Sequence, residues 1–396
     1  MTVNDEAIAL SSSIRAATMT KPWRCWDSTI LRVGRRLWSP AEGIAVIFCL
    51  TPERGPEADS LRVDSQARSA GLSAGIQMLG PWMSPRFLRQ VVMVGLLSLL
   101  GGGKPAMAEV DGNAVIQASF QGTPISITTT QRLAGAIHSL RWQGMEFIDS
   151  ADHGRQLQSA CSFDVGDATR FWAEAYNPTE AGSRLDGAGE TSSSRLLRLS
   201  AQANHLETES QMAFWLAPGE TSQGHPALNT MILSRHRLQK RVHIGFEGWP
   251  NVIDYRATFF VPAAERHTYA QFEALTGYMP SIFSVFWRYE PQLGKRLAID
   301  DGPGEQACPL IFSTVEGDYA MGIFSPSQPV PGDELAGYGR FRFPEAKVVK
   351  WNCVFRERAP EGIPPGSRTF RMLVVIGSLA TVEQTMGELI ARFAVK

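Results

Sequence analysis

The sequence lacks the residue patterns of several common classes of binding protein. Its 38 lysines and arginines stand against 39 aspartates and glutamates, so the chain carries no excess of positive charge. A nucleic-acid partner would need a basic stripe, and the balance of charge argues against one. The sequence also has no Cys-x-x-Cys pair and no run of clustered histidines. We therefore expect no zinc site, no other metal and no cofactor.

Cysteine is scarce, which limits what disulfides can contribute. Cys25 and Cys49 precede the segment that we expect to be the mature chain, and Cys161, Cys308 and Cys353 lie within it. Because three is an odd number, at most one disulfide can join two of them, and one thiol stays free. A segment of about 290 residues can bury a core without such cross-links.

No apolar run in the sequence is long enough to cross a membrane. The longest candidate, residues 91–100, has about ten residues, whereas a spanning helix needs about twenty. Arg86 and Arg89 precede this run, and Ala106-Met107-Ala108 follows it as a small-x-small cleavage site. This order is typical of a secretory signal peptide. We predict a signal peptide at 83–108, cleavage near Ala108, and a periplasmic or secreted protein with no membrane insertion after cleavage.

The first 82 residues differ in composition from the rest of the chain. They mix arginine, proline, serine and tryptophan without helical or strand periodicity. We interpret them as a disordered leader, or as sequence upstream of a true start at Met83 or Met78. Residues 109–396 are then expected to form one domain.

After residue 109 the sequence predicts an all-β protein. Side chains alternate with period two, as in Ile232, Ser234, His236 and Leu238. One helix is predicted, at 382–393, where Thr381 and Gln384 would form a capping box. A large antiparallel sandwich with one C-terminal helix accommodates this pattern. Strands are predicted at 114–120, 125–130, 137–142, 147–148, within 161–172, 195–203, 206–216, 231–246, 254–261, 267–273, 282–289, 310–314, 320–325, 348–356 and 369–376.

A polar cluster follows the predicted hairpin that turns at Gln143-Gly144. The cluster consists of Asp152, His153, Arg155 and Gln156, and it has no apolar residue of its own. We interpret it as a loop that presents substrate-binding groups at a rim, since sites collect on loops. The alternative is that Asp152 and Arg155 only pair with each other at the surface.

A second group of candidate ligand-binding residues begins at Trp172. Tyr176, Asn177 and Glu180 follow it, within or beside an irregular connection at 174–194. Saccharide sites combine aromatic rings, which cover the apolar face of a sugar, with polar groups that hold its hydroxyls. We therefore expect these four residues to bind a saccharide, and we assign Trp142 and Trp351, which lie in strand patterns, to packing.

Two short stretches resemble galactose mutarotase-like proteins. Residues 135–144 carry the Gly-Ala strand, Ser-Leu step and Gly turn of their early hairpin, and residues 363–370 are similar to the Pro-Gly turn before their last long strand. The resemblance implies a β-supersandwich whose concave face binds a saccharide. It also implies that Arg155 binds the sugar, that His267 and Tyr269 form a His-x-Tyr pair, and that Glu357 acts as a base.

Three functions fit these observations. The first is a secreted hydrolase or lyase for an oligo- or polysaccharide; in a lyase, His267 or His153 would take the proton, Tyr269 would protonate the leaving oxygen and Arg155 would neutralise the uronate. The second is a non-catalytic envelope protein that binds glycans. The third is an aldose 1-epimerase with His267 as acid and Glu357 as base.

Overall fold

The computed structural model describes residues 110–326 and 336–394. The predicted leader and signal peptide, at 1–108, lie outside these residues. Within the described part of the chain, no helix has the length and apolar character needed to cross a bilayer.

The regular structure of the described residues is almost entirely β. The strands are β1 (Ala114–Phe120), β2 (Thr123–Thr129), β3 (Ile137–Trp142), β4 (Met145–Glu146), β5 (Leu157–Phe163), β6 (Pro178–Thr179), β7 (Arg195–Gln202), β8 (His205–Phe214), β9 (Thr221–Ser222), β10 (His225–Pro226), β11 (Leu233–Phe246), β12 (Trp249–Val261), β13 (Tyr269–Pro280), β14 (Val285–Glu290), β15 (Lys295–Ile299), β16 (Gly304–Gln306), β17 (Leu310–Ser313), β18 (Ala320–Phe324), β19 (Gly337–Phe343), β20 (Val348–Arg358) and β21 (Gly366–Gly377). Helix α1 is Leu379–Ala394. Three short 3-10 helices lie in loops, at Gln131–Leu133, Ala168–Arg170 and Arg184–Asp186.

Apart from β9 and β10, which pair only with each other, the strands form two antiparallel sheets. The first runs in the order β1-β2-β3-β5-β13-β20-β19-β16, with β4 beside β3, and the second in the order β7-β8-β11-β12-β21-β18-β17-β14-β15. Strand β6 pairs with both β5 and β8 and so connects the sheets. The fold is the predicted all-β sandwich.

The main core consists of apolar side chains from both sheets. Phe272 and Phe355 of the first sheet contact Phe370 of the second, with ring centroids 5.2 and 4.4 Å apart. Trp142 and Trp351 belong to the same core, so their assignment to packing is confirmed. A smaller cluster holds α1 against β17, β18 and β21 of the second sheet.

The main predicted strands and the C-terminal helix are confirmed, with differences at several ends. Helix α1 begins at Leu379, three residues before the predicted start, and Ser378 accepts from Thr381 N in place of the predicted Thr381 cap. The strand expected within 161–172 is β5, which begins earlier. Strand β13 continues to Pro280, well past the predicted end at 273. The prediction ended too early because a bulge between Glu273 and Leu275 breaks the alternation of side chains that marks a strand. Strands β15, β16 and β19 were not predicted.

The two cysteines of the central strands are buried free thiols. Cys161 lies on β5 and Cys353 on β20. Since both are free, no disulfide joins two of the three cysteines after residue 109.

Candidate functional site

Strands β5, β13, β20 and β19 are neighbours in the first sheet, and their alternate residues face opposite ways. On β13, Ala270 and Phe272 belong to the core, so Gln271 and Glu273 lie on the other face. On β20, Trp351 and Phe355 face the core, and Asn352 and Arg356 lie opposite. A polar surface thus lies on the side of the sheet turned away from the core.

We call this surface the polar strip. It combines carboxylate, amide, ammonium and guanidinium groups from β13 and β20 and from β16 at the edge of the same sheet. Its members are Gln271, Glu273, Glu305, Lys350, Asn352 and Arg356.

One end of the polar strip is built around the Glu273 carboxylate. Its Oε2 lies 3.4 Å from Nζ of Lys350 and accepts a hydrogen bond of 2.6 Å from the Thr276 hydroxyl. The Lys350 ammonium also lies 5.2 Å from the centroid of the Tyr278 ring and 5.4 Å from that of Phe341. Glu273 and Lys350 are both buried, so the pair is partly withdrawn from water.

The other carboxylate of the polar strip belongs to Glu305. It is held by two hydrogen bonds from Arg356, at 2.6 and 2.7 Å. The carboxylate lies over Gly337, where a Cβ atom would overlap it. Gly337 therefore makes room for the Glu305–Arg356 pair.

The strip changes from buried to accessible along its length. Lys350 and Asn352 are buried, Arg356 is half-buried and Arg358, at the end of β20, is exposed. The Arg358 guanidinium lies 4.3 Å from the centroid of the Tyr269 ring, and the Tyr269 hydroxyl accepts from Gln271. An aromatic ring thus stands at the accessible end of the polar strip.

The predicted cluster at 152–156 forms a compact loop that is held mainly by its own contacts. Arg155 pairs with Asp152 at 3.0 Å and lies 3.7 Å from Asp149. Gln156 donates to the carbonyl of Asp152. Both ring nitrogens of His153 contact backbone carbonyls, those of Gly187 at 2.7 Å and Arg132 at 2.8 Å. Asp152 and Arg155 thus pair with each other, as the alternative to a substrate-binding role predicts.

Arg155 and His267 lie at opposite ends of β13. The Arg155 loop is attached near Tyr278, whose carbonyl accepts from Asp149 N, whereas His267 lies just before Tyr269. Nine residues of strand separate Tyr269 from Tyr278, or about 30 Å. The structure therefore does not bring Arg155 together with His267 and Tyr269 as the proposed elimination would require.

The residues predicted around 172–180 mostly make structural contacts. Glu180 is fully buried in an ion pair with Lys240. Asn177 donates to the Cys161 carbonyl at 2.7 Å and the Ser162 hydroxyl at 3.0 Å. His225 covers one face of the Trp172 ring, with the centroids 4.2 Å apart.

Glu357 is paired with Arg368 of the second sheet. Two hydrogen bonds of 2.8 and 2.9 Å join them, and both side chains are buried. In the ladder between β13 and β20, Glu357 lies opposite Ala270, which faces the core. The Glu357 carboxylate thus points away from the polar strip and from the side of the sheet that carries Tyr269.

Of the predicted site residues, His267 and Tyr176 come together, with their ring centroids 5.5 Å apart. The side chain of Tyr269 instead contacts Phe171, Gln271 and Arg358. Most of the polar strip was not predicted from the sequence, although a signal was present. Lys350, Asn352, Arg356 and Arg358 alternate with Trp351, Cys353 and Phe355, which indicates a strand with one polar face.

No family model matches this chain, and no curated protein matches it. Similar solved structures include carbohydrate-active enzymes. The Slr1438 protein from Synechocystis sp. is 8% identical, with 67% of this chain and 96% of that one covered and a TM-score of 0.35.

Two longer proteins are also similar. A mutant heparan sulfate lyase HepC from Pedobacter heparinus is 8% identical, with 75% of this chain and 43% of that one covered and a TM-score of 0.36. A glycosyl hydrolase family 38 protein from Enterococcus faecalis is 12% identical, with 69% and 32% covered and a TM-score of 0.39. This chain spans less than half of either. Similarities of this size assign neither a site nor an activity to it.

Proposed function

We propose that this protein binds an oligo- or polysaccharide on the polar strip. The observation that supports this is the set of groups on one sheet face. Carboxylates of Glu273 and Glu305 can accept from sugar hydroxyls, while Lys350, Asn352 and Arg356 can donate to them.

The location of these groups favours a ligand site. They project from strands, which hold side chains more firmly than loops do. The strip also lies on the sheet face turned away from the core, and its outer end reaches solvent at Arg356 and Arg358. The resemblance of residues 135–144 to galactose mutarotase-like proteins, together with the predicted export signal, agrees with a saccharide ligand.

A second candidate function is hydrolysis of a glycosidic bond. Glu273 pairs with Val354, and Val354 pairs with Gly337, over which the Glu305 carboxylate lies. The two carboxylates therefore lie in one row, two strand spacings apart, and neighbouring strands are about 4.8 Å apart. The backbones of Glu273 and Gly337 are therefore about 10 Å apart, slightly more than the distance of about 6.5–9.5 Å between the two carboxylates of inverting glycosidases.

The experiment is a glycan-array screen on the purified protein, followed by mass analysis of each bound glycan. The variants are Glu273→Gln, Asn352→Ala and Gly337→Ala, and the matched control is Glu209→Gln. Glu209 is a strand carboxylate of the second sheet, paired with Arg237. We expect binding by the native chain and the control, and at least about tenfold weaker binding by the three variants, since each loses or displaces a polar contact.

The product analysis separates the two functions. If the bound glycans remain intact, the protein only binds them. If the native protein shortens the glycans and Glu273→Gln does not, hydrolysis is established. Equal binding by all variants, each checked for native circular dichroism, would remove the polar strip as the site. A native chain that binds no glycan would contradict the proposed function.

A further inference from the structure

A cluster of three potential metal ligands lies outside the polar strip. His236 is on β11 of the second sheet, and Glu265 and His267 lie in the segment between β12 and β13. One nitrogen or oxygen atom from each of the three residues lies within 4.8 Å of the others. Oε2 of Glu265 is 3.2 Å from Nε2 of His267 and 3.6 Å from Nε2 of His236.

The hydrogen bonding of His267 leaves its Nε2 suited to bind a cation. Its Nδ1 contacts the carbonyl oxygen of Asp164, which can only accept, so Nδ1 carries the proton. In the neutral imidazole, Nε2 then holds a lone pair that points toward the Glu265 carboxylate. A backbone carbonyl on the other ring nitrogen is the arrangement that orients metal-binding histidines.

The ring of His236 is buried and makes no hydrogen bond to the described residues. Only 2% of its surface is exposed, and neither ring nitrogen has a hydrogen-bond partner within the described part of the chain. Its distance to Glu265, 3.6 Å, is too long for a hydrogen bond. A neutral imidazole at this position offers the lone pair of one ring nitrogen to a cation. A buried polar group without a partner is costly, and its presence calls for an explanation.

We propose that His236, Glu265 and His267 bind a divalent transition-metal ion of the zinc type. Bonds of about 2.0–2.1 Å to tetrahedral zinc place neighbouring ligand atoms about 3.4 Å apart. The two distances from Glu265, 3.2 and 3.6 Å, lie on either side of that value. Two imidazoles and one carboxylate are a ligand set that zinc and its neighbours in the first transition row favour.

The surroundings of the cluster fit such an ion. Phe163 packs against both histidine rings, with centroids 4.8 Å from His236 and 4.6 Å from His267, which limits the access of water. The Tyr176 hydroxyl hydrogen-bonds to Glu265 and would orient its carboxylate. Three protein ligands leave a fourth position for a water molecule or a ligand oxygen. The Glu265 side chain is partly exposed to solvent.

An ion pair between protonated His267 and Glu265 is the competing explanation. It accounts for the 3.2 Å distance, because an Nε2–H would donate to the carboxylate. It does not provide a partner for His236. A metal ion satisfies both histidines, so we prefer it. Sequence spacing could not reveal the site, since His236 and His267 are 31 positions apart (267 − 236) and lie on β11 and in the segment before β13.

The test uses the full chain, stripped of metal with a chelator and then titrated with Zn²⁺ by calorimetry. Co²⁺ replaces Zn²⁺ for absorption spectroscopy, because its visible bands report tetrahedral coordination by nitrogen and oxygen. The variants are His236→Gln, Glu265→Gln, His267→Gln and Tyr176→Phe. The matched control is the double variant His205→Gln/His243→Gln, which removes a stacked pair of histidines away from the cluster.

We expect one Zn²⁺ per chain and intense Co²⁺ bands in the native protein and the control. Loss of one ligand should weaken Zn²⁺ binding by more than about 100-fold, and Tyr176→Phe by about tenfold, because outer-shell partners contribute that much or more. Absence of saturable Zn²⁺ binding to the native chain would overturn the proposal. Loss of binding in the control, or its persistence in folded Glu265→Gln, would do the same. Because the readout is metal binding, it is independent of saccharide binding at the polar strip.

Discussion

The buried ion pair between Glu180 and Lys240 lies beside β6, the strand that connects the two sheets. Nζ of Lys240 is 2.5 Å from Oε1 of Glu180 and donates to the Gly135 carbonyl at 3.2 Å. The other carboxylate oxygen accepts from Ser159 N at 3.1 Å. Both charges are therefore fully surrounded by partners, which is the condition under which a buried pair is tolerated.

Removing one partner of this pair should destabilise the fold strongly. We expect Lys240→Ala to lower the free energy of unfolding by about 3–5 kcal/mol, because the Glu180 carboxylate is left buried and unpaired. Urea unfolding followed by circular dichroism measures the loss. Arg198→Ala is the control, since Arg198 pairs with Glu207 at the surface, and it should cost less than about 1 kcal/mol. A double variant, Glu180→Leu/Lys240→Met, should recover most of the loss; a double variant as unstable as Lys240→Ala would contradict this account.

Glu180 also illustrates why single residues are hard to assign from sequence. It stands in an irregular stretch next to aromatic and polar residues, which is where ligand-binding groups occur. Its partner Lys240 is sixty positions away on β11. Nothing local to either residue indicates that they meet.

At the scale of elements, helix α1 packs closely over the second sheet. The approach is close at Gly322 of β18, where a Cβ atom would lie 3.0 Å from Val382 and 3.1 Å from Met386. Val382, Met386 and Leu389 form the buried face of the helix, against Leu373 and Val375 of β21. A glycine at this strand position therefore sets the distance between helix and sheet.

Enlarging Gly322 should push α1 away from the sheet. We expect Gly322→Val to cost about 1–3 kcal/mol, the usual penalty for overpacking a tight interface. Met386→Ala alone should cost about 2–5 kcal/mol through the cavity that it leaves. Because the added valine can occupy part of that cavity, the double variant should lose less than the sum of the two. Thermal unfolding of the four proteins measures this coupling, and strict additivity would show that the two side chains do not compete for one space.

The bulge in β13 has a consequence for the polar strip. It inserts one residue between Glu273 and Thr276, so that both side chains remain on the same face and hydrogen-bond to each other. In a regular strand of the same sequence, Thr276 is three positions after Glu273 and would face the opposite side of the sheet. The position of Glu273 against Lys350 therefore depends on an irregularity that sequence periodicity does not predict.

For the whole molecule, the free thiols of Cys161 and Cys353 can show whether the two sheets stay packed together. Burial raises the pKa of Cys161 well above its usual value and raises that of Cys353 as well. Both lie in the main core, so neither forms a reactive thiolate in the native state near pH 8.

We expect Cys161 and Cys353 to resist alkylation at pH 8 and to react together when the protein unfolds. Peptide-level mass spectrometry after iodoacetamide treatment, at increasing urea concentrations, follows each thiol separately. The labelling midpoints should coincide with the loss of the circular dichroism signal, because exposing either core residue requires the sheets to separate. Labelling of either cysteine well below that midpoint would show that part of the first sheet opens on its own.

Local patterns in the amino-acid sequence are enough to predict the class of fold. Period-two alternation, turn glycines and one apolar helical face act over a few residues, so β1, the hairpin of β3 and β4, and helix α1 could be predicted within a few residues of their ends. Strands β16 and β19 could not, because they are short or glycine-rich and owe their strand conformation to their neighbours in the sheet.

Which polar residues meet depends on how the strands pair and how the sheets pack. Glu273 and Lys350 are 77 positions apart in the sequence (350 − 273) and face each other because β13 pairs with β20. His236 meets His267 because the two sheets are stacked. The same pairing turned Glu357 toward Arg368 and placed Arg155 at the far end of β13 from His267. Such contacts depend on strand order and register, which arise from the sum of many core contacts, and the residue types alone carry no record of them.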